Sequence, residues 1–252
     1  MKAALVTGAS SGIGAATARR LDREGYTLLL VARREERLRA LAAELRSAAW
    51  LAADLTADGA PAQLAAWVAD EWGRLDLLVN NAGAAWRARF GDPDGGYASA
   101  QRNMELNFFA TVRVTEALHG VLRRSAPSAI VNVCSVSSRI AMRSAGAYSA
   151  SKFALAGWTE TLRFEEAPHG VHVGAVFPGF ITTEGFPQAD LRERRLTRWM
   201  VSADTDKVAD AIYAVGPGGR PERSVPRAFG LVGPLRHVTP WLWRLVGPRI
   251  RR

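Results

Sequence analysis

The sequence predicts an α/β fold in which helices cover both faces of a doubly wound parallel sheet. Apolar runs of strand length alternate along the chain with segments that show helical periodicity. The runs are almost continuously apolar, which is typical of parallel strands that are buried on both faces. Right-handed crossover connections make a sheet of this kind doubly wound.

Strands and helices alternate from the first residues onward. The predicted strands read KAALVT, TLLLVA, AWLAAD, LDLLVN, AIVNVCS and VHVGAVF, and they occupy residues 2–7, 27–32, 49–54, 75–80, 129–135 and 171–177. The predicted helices occupy residues 13–24, 35–46, 61–72, 98–123, 147–166 and 205–215. Because no linker or repeat interrupts this pattern, residues 1–228 are expected to form a single domain. The loops 90–96 and 178–188 are expected on the side where such sheets bind ligands.

The composition fits a globular protein with a sizeable core. The chain has 252 residues, and 48% of them are hydrophobic. Cys134 is the only cysteine, which excludes an internal disulfide framework, and no cysteine–histidine cluster has the spacing of a metal site. The N-terminal apolar run is too short for a signal peptide, and no apolar segment is long enough for a membrane span. We therefore expect a cytoplasmic protein without a metal.

The net charge of +9 is concentrated near the C-terminus. Residues 220–252 are rich in arginine and contain a single glutamate. Such a charge attracts nucleic acids or acidic membranes. No helix-turn-helix, zinc-finger or aromatic RNA-binding signature accompanies it, so nucleic-acid binding is not expected.

A glycine-rich turn joins the first predicted strand to the first predicted helix. It reads TGASSGIG over residues 7–14. In a doubly wound sheet, such a turn holds the pyrophosphate of a dinucleotide with backbone N–H groups, although a plain tight turn after a strand can look similar. The candidate cofactor-binding residues of this turn are Gly8, Ser10, Ser11, Gly12, Ile13 and Gly14.

The end of the second predicted strand indicates which dinucleotide is bound. An NAD-binding fold usually has an acidic residue there, whereas this chain has Arg33 and Arg34. Guanidinium groups pair with phosphate, which favours NADP(H) over NAD(H); the alternative is two solvated charges at a helix start. After the third strand, Asp54 is a candidate to bind the adenine amino group, or alternatively a turn-capping residue, and Leu55 is a further cofactor-binding candidate.

Tyr148 and Lys152 are the strongest chemical signal. Four residues apart, they share one face of the predicted helix 147–166. A neighbouring ammonium favours the phenolate, so Lys152 is expected to lower the pKa of Tyr148 toward neutrality, as proton transfer at a carbonyl requires. An ordinary surface pair has the same spacing, so the surrounding motifs must decide.

These motifs occur in an order that resembles the short, single-domain branch of the short-chain dehydrogenase/reductases. They are TGASSGIG, NNAG at 80–83, Asn107, Ser135 thirteen residues before Tyr148, YSASK at 148–152 and PGFITT at 178–183. The resemblance covers about residues 1–225. It implies a Rossmann-like, mostly parallel seven-stranded sheet and NAD(P)-dependent interconversion of alcohols and carbonyls. It also implies a homodimer or homotetramer built on the fourth and fifth helices.

The resemblance assigns four catalytic residues. Tyr148 is the general acid/base, and Lys152 lowers its pKa and binds the nicotinamide ribose. Ser135 polarises the substrate oxygen, and Asn107 holds a water that connects Lys152 to solvent. The chemistry agrees, since reduction of a ketone develops negative charge on oxygen that two hydroxyl groups can stabilise. Asn107 has the alternative of an ordinary core or surface amide.

Other residues near these motifs are candidates for the same or for supporting roles. Ser137 and Ser138 compete with Ser135, but the spacing to Tyr148 favours Ser135. Asn81 is also a candidate structural bridge. Further cofactor-binding candidates follow the fourth and sixth strands, namely Asn81, Ala82, Gly83, Pro178, Gly179, Ile181 and Thr183.

Two segments depart from the family pattern. Residues 185–204 resemble a substrate lid with apolar side chains, which favours an apolar substrate; a helix packed on the core is the alternative. Residues 229–252 form a basic tail with Trp241 and Trp243, which suits peripheral contact with an anionic membrane. Packing of this tail on its own subunit or on a partner subunit is the alternative.

Together, these observations predict an NADP(H)-dependent oxidoreductase that interconverts a carbonyl and a secondary alcohol. The alternative is a non-catalytic NADP-binding regulator or membrane-associated scaffold, which the unusual tail motivates. A scaffold has no chemical need for Tyr148, so the catalytic interpretation is favoured.

Overall fold

The computed structural model describes residues 1–181 and 204–241. Within them, seven strands form one sheet, in the spatial order β3-β2-β1-β4-β5-β6-β7, and every neighbouring pair is parallel. The strands are β1 (Lys2–Thr7), β2 (Tyr26–Ala32), β3 (Ala48–Ala52), β4 (Leu77–Asn80), β5 (Ser128–Val133), β6 (Val171–Pro178) and β7 (Glu222–Val225). The predicted doubly wound, Rossmann-like α/β fold is confirmed, and the sheet is parallel throughout.

Helices cover both faces of this sheet. The helices of the described residues are α1 (Gly12–Arg23), α2 (Glu35–Glu44), α3 (Ala60–Glu71), α4 (Gly96–Met104), α5 (Ala110–Arg124), α6 (Gly146–Glu166), α7 (Thr205–Val215) and α8 (Val232–Val238). On one face, α1, α2 and α7 supply core residues, and on the other, α3, α5 and α6 do so. The central strand β1 shows why its run is continuously apolar: Ala4 and Val6 enter the first core, and Leu5 enters the second.

The predicted helix 98–123 is wrong as a single element. The structure divides it into α4, a π-helical turn at Glu105–Phe109, and α5. Such a turn bonds each residue to one five positions away and inserts an extra residue, which hydrophobic periodicity does not reveal. This turn carries the buried Asn107.

Two further differences concern strands. The predicted strand 129–135 ends at Val133, and Ser135 instead caps a 3₁₀ turn at Val136–Ser138. No apolar run marks β7, because this strand lies at the sheet edge and only Val225 is buried in it. Its existence was implied by the family resemblance, not by its own sequence pattern.

The described beginning of the basic tail packs on its own subunit. Phe229 is buried against Val136 and Ile140, and the Arg236 guanidinium donates a hydrogen bond to the carbonyl oxygen of Arg139 at 3.0 Å. Residues 242–252, Thr183 and all of the proposed lid except Asp204 lie outside the described residues. Among the helices that are described, none combines the length and apolar character needed to cross a membrane.

Candidate active site

A cavity of about 150 Å³ lies where the carboxyl ends of the central strands meet. Its walls come from the glycine-rich turn, from α6, and from the loops after β4, β5 and β6. It brings together predicted site residues from separate parts of the chain, including Gly8, Asn81, Ser135, Tyr148, Lys152 and Ile181.

A second cavity, of about 320 Å³, continues along the same edge of the sheet. Arg33, Arg34, Asp54 and Leu55 line it. The two cavities share walls at the glycine-rich turn and at the loop after β4, so they form one continuous site. We call the part near Tyr148 the catalytic end and the part near Arg33 the arginine end.

The glycine-rich turn depends on its glycines. Gly8 and Gly12 have positive φ angles of 66° and 53°, which disfavour residues with a Cβ atom. A Cβ atom on Gly14 would lie 2.2 Å from the carbonyl oxygen of Gly8. Ser11 is the N-cap of α1, yet its side chain does not cap the helix. The first N–H groups of α1 are therefore suited to an anionic ligand, and this backbone cradle fits a dinucleotide pyrophosphate.

The Arg34 side chain is tied to the glycine-rich turn. Its guanidinium donates to the Ser11 hydroxyl at 2.7 Å and to the Ser10 hydroxyl at 3.1 and 3.2 Å. Arg33 lies beside it and is exposed. Both arginines line the second cavity. Because Arg34 is hydrogen-bonded to the turn, the alternative of a freely solvated charge at the helix start does not describe this residue.

Asp54 forms the turn that the sequence offered as the alternative to adenine binding. Its carboxylate accepts hydrogen bonds from the Thr56 backbone N–H at 3.0 Å and from the Thr56 hydroxyl at 2.7 Å. These hydrogen bonds, with a smaller effect from the Arg33 charge, lower the pKa of Asp54. It is therefore a turn residue that also lines the arginine end.

Asn81 is the bridge between β1 and β4 that the sequence suggested. Its side-chain amide donates to the carbonyl oxygens of Thr7 at 2.9 Å and Gly8 at 3.3 Å. In return, the Thr7 hydroxyl accepts from the backbone N–H groups of Asn81 and Ala82 at 2.9 and 3.0 Å. This reciprocal set fixes the loop after β4 against the glycine-rich turn.

Asn107 contacts the loop after β4 with its side chain, but it does not line either cavity. Its amide donates to the carbonyl oxygen of Ala84 at 2.9 Å and to the Ser151 hydroxyl at 3.2 Å, and its own oxygen accepts from the Ala84 N–H at 3.0 Å. A Cβ atom on Gly83 would lie 2.7 Å from the Asn107 oxygen and 3.4 Å from the Lys152 ammonium. The Asn107 oxygen and the Lys152 ammonium therefore face the same space beside Gly83.

Ser135 stands at the end of β5, where three serines form a compact turn. The Ser135 hydroxyl accepts from the Ser137 N–H at 3.1 Å, and the Ser138 hydroxyl accepts from the Ser135 N–H at 3.2 Å. Ser135 and Ser138 thus cap the turn reciprocally, whereas Ser137 lines the cavity with Ser135. Of the three, Ser135 hydrogen-bonds the Tyr148 side chain.

The expected lowering of the Tyr148 pKa is wrong for this structure. Burial raises the pKa of Tyr148 to about 12, while the Ser135 hydrogen bond and the Arg87 charge act in the opposite direction. Burial disfavours the phenolate more than these groups favour it. Tyr148 is therefore a protonated phenol at neutral pH.

Lys152 lies one helical turn after Tyr148 and is almost fully buried. Its ammonium donates to the carbonyl oxygen of Val133, the last residue of β5, at 2.9 Å. Burial lowers the pKa of Lys152 to about 8. Its charge thus changes close to physiological pH.

The end of β6 closes the cavity from the other side. Pro178, Gly179, Phe180 and Ile181 line it. The Ile181 N–H donates to the carbonyl oxygen of Gly179 at 3.1 Å, and Gly179 packs so closely on Phe229 that a Cβ atom would lie 2.2 Å from that ring. The start of the C-terminal segment therefore supports this wall.

Sequence reasoning missed several side chains that line the catalytic end, among them Arg87, Met142 and Phe180. Their place in the sequence could have indicated them, because each lies in a loop that follows the carboxyl end of a sheet strand, where ligands bind. Their residue types alone gave no motif. In the part of the chain that the structure describes, no three His, Cys, Asp or Glu side chains group as metal ligands would.

Comparisons with known proteins place this geometry in a family. The sequence model of a family described as short chain dehydrogenase matches residues 2–194. A putative ketoacyl reductase from Streptomyces coelicolor is 38% identical over 248 residues, covering 92% of this chain and 90% of the relative. The short-chain reductase protein NovJ from Streptomyces niveus is also 38% identical, over 232 residues, with coverages of 87% and 82%.

A solved structure agrees with these relatives. An actinorhodin polyketide ketoreductase crystallised with NADPH superposes with a TM-score of 0.78 at 32% sequence identity, covering 92% of this chain and 97% of that one. The sequence matches extend through the glycine-rich turn, the serine turn and α6, which together build the cavity. This chain therefore belongs to the short-chain dehydrogenase/reductase family of oxidoreductases.

Proposed function

We propose that this chain is an NADP(H)-dependent oxidoreductase that interconverts a carbonyl and a secondary alcohol within a single catalytic domain. The observation that carries the proposal is the hydrogen-bonded Ser135–Tyr148 pair, which shares one cavity with Lys152 and the glycine-rich turn. Two hydroxyl groups beside one cavity are suited to a carbonyl oxygen that gains negative charge.

The cofactor assignment rests on the two ends of the site. The backbone of the glycine-rich turn would hold the pyrophosphate, and Arg33 and Arg34 would hold the 2′-phosphate of NADP(H). Asp54 and Leu55 would flank the adenine, and Thr183 remains a candidate outside the described residues. When bound, the nicotinamide would supply or accept the hydride. Support comes also from the ketoreductase crystallised with NADPH, whose fold this chain shares.

In this proposal the protein provides the proton and the positive charge. Tyr148, protonated at neutral pH, would donate its proton to the carbonyl oxygen while Ser135 donates a hydrogen bond to the same atom. The Lys152 ammonium would stabilise the phenolate left behind. Because the Asn107 oxygen and the Lys152 ammonium face one space beside Gly83, a water there would link Lys152 toward solvent.

The catalytic end supports a substrate with an apolar body. Val136, Met142, Phe180 and Ile181 contribute apolar walls around the hydroxyl pair. Such walls remove apolar ligand surface from water without offering specific hydrogen bonds.

The first test is oxidation of NADPH with a panel of ketones, aldehydes and ketoacyl thioesters, with NADH in parallel. The Tyr148→Phe variant should lose activity by about 10²- to 10⁴-fold, because it lacks the proton donor. Tyr97→Phe is the control, since Tyr97 is exposed on α4 and does not line the cavity. Tight NADPH binding with no turnover of any substrate would instead favour the alternative, a non-catalytic NADP-binding regulator.

We propose further that the chain forms a homodimer or homotetramer. Phe109, Phe153 and Phe164, in the predicted fourth and fifth helices, expose 45%, 37% and 69% of their surfaces. Light scattering should give a mass of two or four chains, and Phe164→Asp should reduce it. A monomeric wild-type protein would contradict this assembly.

A second candidate role, peripheral membrane contact, is supported by the segment around α8. Leu231, Leu235, Val238 and Trp241 are each more than half exposed. Co-sedimentation with phosphatidylglycerol vesicles should occur and should weaken in a Leu235→Ser/Val238→Ser variant, which leaves the buried Phe229 in place. Absence of wild-type binding to these vesicles would rule this role out.

A further inference from the structure

Arg87 is a charged side chain at the catalytic end that the proposed reaction does not use. It lies in the loop after β4 and lines the cavity together with Ser135, Tyr148 and Lys152. Within residues 1–181 and 204–241, no carboxylate or other side chain pairs with its guanidinium. This contrasts with Arg34, which hydrogen-bonds two serines at the arginine end.

The charge balance around Arg87 is one-sided. None of the described residues that line the cavity is acidic, and its two cationic side chains are Arg87 and Lys152. Lys152 is buried and engaged with the carbonyl oxygen of Val133. Arg87 therefore leaves a positive charge at the catalytic end without a compensating negative charge among these walls.

Arg87 faces the reaction centre instead of the arginine end. It does not line the second cavity, where Arg33 and Arg34 lie. Its charge acts on the Tyr148 side chain, whose pKa it lowers. A ligand group that pairs with Arg87 would thus be close to the reacting carbonyl and far from the proposed 2′-phosphate site.

Guanidinium has a strong chemical preference in such a place. Its planar fork of N–H donors matches carboxylates and phosphates, and pairing strengthens when a ligand excludes water from the cavity. The apolar walls from Val136, Met142 and Phe180 would exclude water once a substrate fills the space. A neutral substrate would instead leave the guanidinium covered but unpaired, at a cost in binding free energy.

We propose that the substrate carries an anionic group, a carboxylate or a phosphate, near its carbonyl and that Arg87 binds this group. The proposal rests on the proposed oxidoreductase function and names the substrate class of the same site. It adds an anionic group to one end of the apolar body, which the sequence did not reveal.

The test compares ketones that share one carbon chain and differ in the end group, which is anionic or neutral. A medium-chain γ-keto acid, its methyl ester and the γ-keto alkyl phosphate of equal chain length are reduced with saturating NADPH, and kcat/KM is measured for each. The wild-type enzyme should favour an anionic substrate over the ester by about 10- to 100-fold, as a hydrogen-bonded charge pair provides. The carboxylate and phosphate arms identify which anion fits.

Variants then assign this preference to Arg87. Arg87→Gln should remove the preference, because kcat/KM falls more for the anionic substrate than for the ester, and Arg87→Lys should keep part of the preference. Arg89→Gln is the matched control, because Arg89 is exposed in the same loop but does not line the cavity. The Kd of NADPH, measured separately, should not change in Arg87→Gln.

Three results would overturn the inference. One is equal reduction of the anionic and ester substrates by the wild-type enzyme. Another is an equal loss for all substrates in Arg87→Gln with a displaced pH profile, which would mean that Arg87 acts only through Tyr148. The last is weaker NADPH binding with unchanged substrate preference, which would place Arg87 in cofactor binding.

A binding measurement separates this inference from the proposed function. Calorimetry with the NADPH-loaded protein compares a medium-chain fatty acid with its methyl ester, neither of which has a ketone to reduce. Arg87-dependent binding of the acid without turnover of any ketone would support the anion site and contradict the oxidoreductase. Turnover of ketones without any discrimination by charge would support the oxidoreductase and contradict the anion site.

Discussion

The two ends of the site differ in how their cationic groups are held. At the arginine end, the Arg34 guanidinium is fixed by the Ser10 and Ser11 hydroxyls of the glycine-rich turn. At the catalytic end, Arg87 has no such partner among the described residues. A guanidinium that the protein already holds in place suits a ligand that is the same in every turnover, as a cofactor is. A guanidinium without a protein partner can instead form its ion pair with the substrate. Breaking each end separately tests this difference.

The largest effect is expected at the catalytic end from Lys152→Met. Loss of the ammonium should lower kcat/KM for reduction by about 10²- to 10⁴-fold, because the phenolate of Tyr148 loses its stabilising charge. With a pKa of about 8, Lys152 is charged below pH 8, so wild-type reduction should decline as the pH rises through about 8. The variant should lack this decline.

The same substitution has a stability signature of known sign. Between the folded pKa of about 8 and the ordinary pKa of 10.5, the unfolded chain binds more protons at Lys152 than the folded chain does. Stability of the wild type should therefore rise relative to Lys152→Met by about 1 kcal/mol from pH 7 to pH 9, in urea unfolding. Lys207→Met, at an exposed ion pair, should show neither effect. If the stability difference between the wild type and Lys152→Met did not change with pH, the lowered pKa of Lys152 would be contradicted.

A smaller effect is expected from Gly14→Ala, which tests the cradle shared by both ends. The added Cβ atom would lie 2.2 Å from the backbone oxygen of Gly8, so the turn must move. NADPH affinity should fall by about 10²-fold, which is the effect of losing one or two hydrogen bonds to a charged group. In Gly157→Ala the new methyl group meets no atom within 4 Å, and affinity should be unchanged. Calorimetry of both variants measures this, and equal affinities would mean that the turn does not contact the cofactor.

The smallest effect is expected at the arginine end from Arg34→Gln. Arg34 is exposed, so its contribution is reduced by solvent, and the NADPH:NADH ratio of kcat/KM should fall by about 10-fold. Arg39→Gln, on the outer surface of α2, is the control. An unchanged ratio in Arg34→Gln would remove this residue from recognition of the 2′-phosphate and leave Arg33 as the candidate.

Much of the fold and of the site could be predicted from local patterns in the sequence. The glycine spacing, the arginines after β2 and the four-residue interval from Tyr148 to Lys152 are local patterns, and each constrains backbone or side-chain geometry directly. The buried strands were equally clear, because burial on both faces demands continuous apolar runs. These signals located the fold and most of the residues that now line the cavities.

What remained hidden depends on packing between distant segments. The pKa of Tyr148 follows from burial by loops that no single motif describes, so the effect of Lys152 alone was a poor guide. The loop that carries Arg87 shows no periodicity, and only its place after β4 brings that side chain to the cavity. The edge strand β7 needs no apolar run, because it lies at the edge of the sheet and only Val225 is buried in it.

The side chain of Asn107 substitutes for a peptide group. Its oxygen accepts from the N–H of Ala84 and its amide donates to the carbonyl of the same residue, which is how a neighbouring strand would pair with that backbone. Aspartate has the same shape but no donor, and leucine would leave both backbone groups unpaired in the interior. Deleting one residue from Glu105–Phe109 would turn this position by about 100° around the helix axis. The pairing with Ala84 therefore requires both the length of the π-helical turn and the amide of Asn107, and a change in either one would break it.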